Sequence, residues 1–176
     1  MNSFLISAIH KSSGKTILSI GLAAALKKLG KTIQTFKKGP DYIDPMWLSA
    51  ASGKKCRNLD FHFMTPKQLT SEYAVHSKLT DFSIVEGNKG LFDGLNPNGN
   101  DSNAAVAKLL KIPVILIIDT RGMTRGIAPL LLGQENFDQD VNIIGVVLNH
   151  VSGSRHDEKL QAAINTYTNI PVLGSI

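Results

Sequence analysis

A short segment near the amino terminus combines glycine, lysine and a hydroxyl residue in a spacing that suits phosphate binding. The sequence HKSSGKT places Gly14, Lys15 and Thr16 between an apolar run and an amphipathic stretch. A phosphate loop needs small residues in a tight turn, a lysine for the outer phosphates and a hydroxyl for Mg²⁺ at a helix start. The segment therefore predicts a nucleotide site. The residues expected to contact the nucleotide here are Ser12, Ser13, Gly14, Lys15, Thr16 and Ile17.

The upstream half of this loop departs from the common pattern G-x-x-x-x-G-K-[ST]. That pattern places a glycine at position 9, where this chain has Ile9, and a loop longer by one residue begins at Ala8. Because alanine is small, we favour the longer loop. The missing glycine leaves the turn and the affinity for nucleotide open.

A second candidate cluster is FKKGPDYIDP, residues 36–45, which follows a predicted strand and carries Lys37, Asp41 and Asp44. Gly-Pro-Asp and Asp-Pro are also ordinary turn sequences. Two carboxylates beside the carboxyl end of a strand can hold a metal ion or position a nucleophile. From these residues alone, both interpretations stay open.

Two further strand ends carry polar side chains. Glu86 lies at the end of the apolar run in SIVEG. An acidic residue at such a strand end can either reach the Mg²⁺ of a nucleotide or cap the next helix. Asn149 ends the run IIGVVLN and either contacts a purine edge or merely terminates the strand. The five histidines show no zinc spacing, and His156 is a weak site candidate.

Alternating strand and helix patterns indicate an α/β fold. The predicted strands are apolar, partly at consecutive positions, and lie at 4–9, 32–36, 82–87, 113–119, 143–149 and 170–176. The predicted helices lie at 15–29, 66–78, 102–111, 123–135 and 154–167. Such alternation favours a parallel sheet whose ligands gather beyond the carboxyl ends of the strands.

Composition limits the possible classes of protein. A chain of 176 residues with 43% hydrophobic residues fits one globular domain, residues 1–176. The net charge is +5, but the lysines are scattered along the chain. Pairs such as Lys37-Lys38 are therefore expected on a solvated face rather than on a surface that binds nucleic acid. One cysteine and no long apolar run predict no internal disulfide and no membrane span, so we expect a cytoplasmic protein.

The end of the sequence and one internal loop suggest further features. Residues 93–103, rich in Gly, Asn and Asp, predict a mobile loop. The chain stops directly after its last predicted strand, so we expect a piece of a longer protein. That strand is expected to be shielded in the longer protein or in a homodimer.

The order of the motifs carries more information than any one of them. SSGKT, FKKGPDYIDP, CRNLD, VEGNKGLFDG, IDTRGMTR, GVVLNHVSGSRH and IPVLG together resemble the amino-terminal synthetase domain of the cobyrinic acid a,c-diamide synthases. The resemblance covers nearly the whole chain. It implies a P-loop fold like that of dethiobiotin synthetase, three-layered with a mostly parallel central sheet.

The resemblance also implies an activity. Members of this family are ATP-dependent carboxylate-amine ligases that use ATP and Mg²⁺ to activate the a and c carboxylates of a corrin-type macrocycle in cobalamin biosynthesis. Ammonia then converts each acyl phosphate to an amide. The family's glutamine amidotransferase domain, which supplies the ammonia, is expected to be missing from these 176 residues.

Roles follow residue by residue from the resemblance. Gly14, Lys15 and Thr16 are expected to hold phosphates and Mg²⁺, while Lys37 contacts phosphate or carboxylate. Thr16, Asp41 and Glu86 are the expected metal ligands, and Asn149 is the expected adenine contact. The expected catalytic residues are Lys15, Lys37, Asp41, Asp44 and Glu86.

One departure from the family pattern concerns substrate contacts, because Asn88 and Lys89 occupy a stretch that is usually apolar. Two alternative functions remain. One is amidation of another carboxylate, such as the tetrapyrrole nickel-sirohydrochlorin. The other is a nucleotide switch or partner-binding module like the partitioning ATPases, although their second lysine is here replaced by His10.

Overall fold

A computed structural model describes residues 2–176 and arranges them as one sheet with helices on both faces. The strands are β1 (Asn2–Ala8), β2 (Ile33–Lys38), β3 (Arg57–Leu59), β4 (Phe82–Glu86), β5 (Val114–Asp119), β6 (Ile143–Asn149) and β7 (Val172–Ser175). The helices are α1 (Lys15–Lys28), α2 (Ile43–Ser52), α3 (Pro66–Ser77), α4 (Asn103–Leu110), α5 (Ile127–Phe137) and α6 (Ser154–Tyr167).

All pairings in the sheet are parallel, and the strand order is β3-β2-β4-β1-β5-β6-β7. The predicted parallel α/β architecture is therefore confirmed. Since β1 lies between β4 and β5, its following loop emerges at the centre of the sheet. The carboxyl ends of β2, β4, β5 and β6 lie at the same edge of the sheet.

Successive residues of the central strands enter different cores, because side chains alternate across a sheet. Leu5 belongs to the larger core, formed with α3 to α6, whereas Ile6 belongs to a smaller core beneath α1. Phe36 lies in the larger core and Ile33 in the smaller one. The sheet is thus apolar on both faces, which explains the nearly continuous apolar runs.

Three elements differ from the prediction. The segment after Gly-Pro-Asp continues as helix α2, and Arg57–Leu59 forms the short edge strand β3. The helix predicted at 123–135 begins later and is observed from Ile127 to Phe137. Turns precede that helix, with backbone N–H groups of Met123 and Ile127 donating to Thr120 and Thr124 carbonyls.

Local sequence explains where helices begin. Thr65 and Gln68 form a reciprocal capping box before α3, with Pro66 at the first helical position. The Ser102 hydroxyl accepts from the Ala105 N–H at the start of α4. The polar segment before it folds into turns, whose mobility stays a prediction. No helix within residues 2–176 has the length and hydropathy needed to cross a membrane.

Candidate nucleotide and magnesium site

The loop between β1 and α1 is shaped by residues with left-handed backbone conformations. Ser12 has φ +65° and Gly14 has φ +103°. A Cβ atom at Gly14 would clash with Asn149 Nδ2, so the position needs glycine for its conformation and for space. Asn149 Nδ2 donates to the Ser13 carbonyl at 2.9 Å. The loop is thus attached to the end of β6.

The loop residues differ in their exposure. Lys15 is buried, while Ser12 is exposed and the Ile17 side chain is 75% exposed. Burial and then the charge of Lys37 lower the pKa of Lys15 to about 8, despite the attraction of nearby carboxylates. An anionic ligand at Lys15 would raise this pKa again, because it would add an opposite charge beside the ammonium.

Lys37, Asp44 and Glu86 form a compact ionic cluster beside this loop. Lys37 Nζ lies 2.5 Å from Asp44 Oδ2 and 2.7 Å from Glu86 Oε1. The Thr16 hydroxyl lies 2.7 Å from the same Glu86 oxygen and 3.3 Å from the same Asp44 oxygen. The sheet register explains one contact, since Lys37 of β2 is the parallel partner of Glu86 of β4.

The ionic cluster shifts two pKa values. Burial alone lowers the pKa of Lys37, but the charge of Glu86 and the hydrogen bond to Asp44 outweigh it and hold that pKa above its ordinary value. Burial alone raises the pKa of Asp44, but the Lys37 hydrogen bond and charge hold it below its ordinary value. The cluster therefore keeps Asp44 ionised and Lys37 protonated.

The cluster has oxygen donors that suit Mg²⁺. Glu86 has no exposed surface, and its Oε2 has no hydrogen-bond partner among residues 2–176. A buried carboxylate oxygen without a partner is costly unless a ligand completes it. Within the same residues, no group of three His, Cys, Asp or Glu side chains is arranged for a metal ion. Proteins commonly hold Mg²⁺ with one or two carboxylates together with phosphates and water, and Asp44 and Glu86 are two such carboxylates.

Asp41 occupies a different place from the other carboxylates. Its Oδ1 accepts from the N–H groups of Ile43 and Asp44 at 3.0 and 3.1 Å, at the start of α2. Its Oδ2 lies 3.9 Å from Lys37 Nζ. The structure thus places Asp44, rather than Asp41, against the Thr16 hydroxyl.

A cleft of about 420 Å³ lies at the carboxyl ends of β2, β3 and β4, lined by residues other than those of the ionic cluster. Lys38, Asp60, Asn88, Lys89 and Asp101 contribute to its lining. Burial lowers the pKa of Lys38. The negative charges of Asp101 and Asp60 raise that pKa again, but they offset the effect of burial only in part.

Lys37 and Lys38 are both buried, so the expectation that this pair lies on a solvated face is wrong. Sequence reasoning also missed Asp60 and the contact between Lys38 and Asn88. The available signal was the position of Lys38 and Asp60 at the ends of neighbouring strands.

Other sequence candidates have local structural roles. His156 Nε2 lies 2.7 Å from the Met123 carbonyl, and its Nδ1 lies 3.1 Å from the Ser152 backbone nitrogen. Arg121 donates to Asp119 and lowers the pKa of that carboxyl to about 2. His156 thus joins two loops, and Asp119 already has a cationic partner.

Comparison with known protein families gives a match over nearly the whole chain. The model described as "CobQ/CobB/MinD/ParA nucleotide binding domain" matches residues 5–176. A protein of Magnetococcus marinus named cobyrinate a,c-diamide synthase is 49% identical over 172 residues. That alignment covers 97% of this chain and 37% of the relative. A Methanosarcina acetivorans protein with the same name is 45% identical, with 98% and 35% covered.

Solved structures show the same fold at low sequence identity. Chloroplast FtsY from Physcomitrella patens superposes with a TM-score of 0.63 at 19% identity, covering 97% of this chain and 57% of that one. FtsY from Elizabethkingia anophelis in complex with GDP gives 0.64 at 13% identity, covering 97% and 55%. These likenesses confirm the predicted P-loop fold. This chain spans little more than a third of the length of its first two curated relatives.

Proposed function

Because the chain belongs to the CobQ/CobB/MinD/ParA nucleotide-binding domain family, we propose that it is the synthetase part of an ATP-dependent amidoligase. Its proposed substrates are ATP, ammonia and the a and c carboxylates of a corrin-type macrocycle such as cobyrinic acid. The relatives named cobyrinate a,c-diamide synthase support this choice. A glutamine amidotransferase outside these 176 residues would supply ammonia.

The observation that carries the proposal is the cluster of Thr16, Lys37, Asp44 and Glu86 next to the phosphate loop. It combines a buried cation with carboxylates and a hydroxyl. Activation of a carboxylate by ATP brings two anions together, the nucleophile and the phosphate, so the enzyme needs cations at this point. Lys37 is one such cation, and the carboxylates and the hydroxyl would hold Mg²⁺ as another. The buried, unpaired oxygen of Glu86 further supports a ligand at this point.

The proposed reaction has two steps. A substrate carboxylate oxygen attacks the γ-phosphorus of ATP; the new O–P bond forms as the bond to ADP breaks. Ammonia then attacks the acyl carbon and the C–O bond to phosphate breaks. The leaving phosphate takes up the proton that the nitrogen loses, which gives the amide and hydrogen phosphate. Lys15 and Lys37 neutralise the phosphate oxygens in the first step.

Thr16, Asp44 and Glu86 would hold Mg²⁺, with Asp41 more distant. When bound there, Mg²⁺ supplies charge neutralisation for the phosphates. Asn149 donates one amide hydrogen to the Ser13 carbonyl and has a second one left for a ligand. We propose that this second hydrogen contacts adenine.

The test is ADP release by this chain with Mg-ATP and ammonium chloride, with and without cobyrinic acid. We expect the macrocycle to stimulate release, and Asp44→Ala and Glu86→Gln to reduce the stimulated rate about 100-fold. Glu158→Ala is the matched control, since Glu158 is an exposed acid of α6. Thermal melting of each variant checks that it folds.

Each remaining outcome points to a different conclusion. Full stimulated activity in both site variants contradicts the site assignment. Stimulation by nickel-sirohydrochlorin in place of cobyrinic acid identifies the related amidation. Nucleotide-dependent dimerisation without stimulated turnover supports a switch. His10 counts against that alternative, because partitioning ATPases have a lysine at this position.

A further inference from the structure

Lys38 is a buried cation whose charge lacks a direct partner. The residue is 6% exposed, and Nζ donates to the neutral amide oxygen Asn88 Oδ1 at 3.1 Å. Among residues 2–176, no carboxylate oxygen lies within 4.0 Å of this ammonium. Its neighbour Lys37 contacts three carboxylates. A buried ammonium without a counterion is costly, so an anionic ligand at this position would stabilise it.

The acids around the cleft are partly used by the protein itself. Asp101 accepts from the backbone N–H groups of Leu95 and Asn96 at 2.7 and 3.2 Å. Asp60 Oδ1 accepts from the His62 N–H at 3.0 Å, while the buried Oδ2 has no partner among the described residues. The cleft therefore offers an anion contact at Lys38 and a free hydrogen-bond acceptor at Asp60.

The position of Lys38 connects the cleft to the ionic cluster. Lys37 and Lys38 are consecutive residues of a strand, so their side chains leave opposite faces of the sheet. Glu86 at the end of β4 contacts Lys37, and Asn88, two residues beyond that strand, contacts Lys38. Both contacts lie where β2 and β4 end, so a ligand would have to pass around this edge of the sheet to reach both.

Lys89 provides a second cation at the cleft. It is exposed, and its φ of +24° is rare for a residue with a side chain. Lys89 lines the same cleft as Lys38 and Asn88.

We propose that Lys38, held by Asn88, and Lys89 bind a peripheral carboxylate of the substrate other than the one being activated. This inference rests on the proposed function and deepens it. A cleft of about 420 Å³ accommodates a carboxylate-bearing side chain of a macrocycle rather than the ring. The substrate is thus a polycarboxylate, selected by a carboxylate that does not react.

Direct binding tests this subsite without requiring turnover. The probe is cobyrinic acid, measured by equilibrium dialysis and its visible absorption, with the 176-residue protein and no nucleotide. We expect Lys38→Met to raise the Kd at least tenfold and Lys38→Arg to raise it less. We expect Lys89→Met, at an exposed residue, to raise the Kd about threefold.

Lys67→Met is the matched control. Lys67 is an exposed lysine of α3 that makes no side-chain hydrogen bond or ion pair in the part of the chain described. Its removal changes the net charge as Lys38→Met does, so the Kd should stay at the wild-type value. The Kd for ATP should be unchanged in all these variants.

The outcomes separate this inference from the proposed function. A wild-type Kd in Lys38→Met overturns the subsite even when cobyrinic acid stimulates ADP release. No binding to the wild type also overturns the subsite. An equal loss of ATP and cobyrinic acid binding overturns it as well, because Lys38 then supports only the fold. Lys38-dependent binding without stimulated ADP release supports the subsite and contradicts the amidoligase function.

Discussion

Lys37 already occupies the place where a divalent cation would satisfy the carboxylates. Its ammonium touches Asp44 and Glu86 at 2.5 and 2.7 Å, and Glu86 is completely buried. Mg²⁺ bound through Asp44 Oδ2 and Glu86 Oε1 would compete with the Lys37 ammonium for these oxygens, whereas Glu86 Oε2 has no partner among residues 2–176. We therefore expect Mg²⁺ to displace Lys37 from Asp44, which would make its ammonium available to the substrates.

Lys37→Met should lower the free energy of unfolding by about 3–5 kcal/mol in the absence of metal, since it leaves Glu86 buried without its counterion. Mg²⁺ should then stabilise the variant more than it stabilises the wild type. Urea unfolding with Mg²⁺ or EDTA measures both effects.

Lys108→Met is the control for the loss of Lys37, because the ion pair between Lys108 and Asp138 is partly exposed. It should cost less than about 1 kcal/mol and leave the response to Mg²⁺ unchanged. Equal stabilisation of Lys37→Met and wild type by Mg²⁺ would contradict competition for the carboxylates.

At the scale of elements, α2 determines where Asp44 lies. This helix packs against α1, and Ala51 joins the small core that contains Ala23. Leu48 lies one turn after Asp44 and is completely buried. The position of the carboxylate thus depends on packing at a distance from the site.

Leu48→Ala should lower the free energy of unfolding by about 2–5 kcal/mol, because it leaves a cavity beneath α2. Affinity for Mg-ATP should fall with it. Met46→Ala on the same helix removes a side chain that is 67% exposed and should change stability by less than about 0.5 kcal/mol. Calorimetric titration and thermal melting give both quantities. Unchanged nucleotide affinity in a destabilised Leu48→Ala would show that α2 does not position the site.

At the scale of the whole molecule, these 176 residues contain one thiol, and it is not suited to nucleophilic chemistry. Cys56 is buried, and burial raises its pKa to about 11. Release of ammonia from glutamine by a cysteine nucleophile needs an accessible thiolate. This polypeptide has none among its described residues.

Ammonium chloride should therefore support amide formation by the 176-residue chain, whereas glutamine should not. Product mass measures amidation, and an ammonia-consuming dehydrogenase added to the glutamine reaction removes contaminating ammonia. Amide formed from glutamine under those conditions would contradict the prediction.

Sequence reasoning predicted the long elements better than the short ones. The apolar runs indicated six strands correctly, but β3 has only three residues, too few for a periodic signal. The start of α2 was hidden by Gly-Pro-Asp, although Pro45 is tolerated in the first turn of a helix. The confirmed family resemblance rested on the order of motifs, which these omissions did not disturb.

Site residues were predictable as types at strand ends, but their contacts were not. The pairing of Lys37 with Glu86 depends on the register between β2 and β4. The approach of Asp44 to Thr16 depends on the unpredicted α2. The contact of Lys38 with Asn88 depends on the path of the loop after β4.

The two consecutive lysines of β2 have a consequence for how the chain finds its strand alignment. A slip of β2 by one residue would set Lys38 opposite Glu86 and preserve the attraction between unlike charges. The same slip would turn Phe36, which stacks on Tyr73 at 5.0 Å between ring centroids, away from the larger core. The pairing of charges therefore discriminates poorly against this misalignment, and the burial of the aromatic side chain favours the correct register.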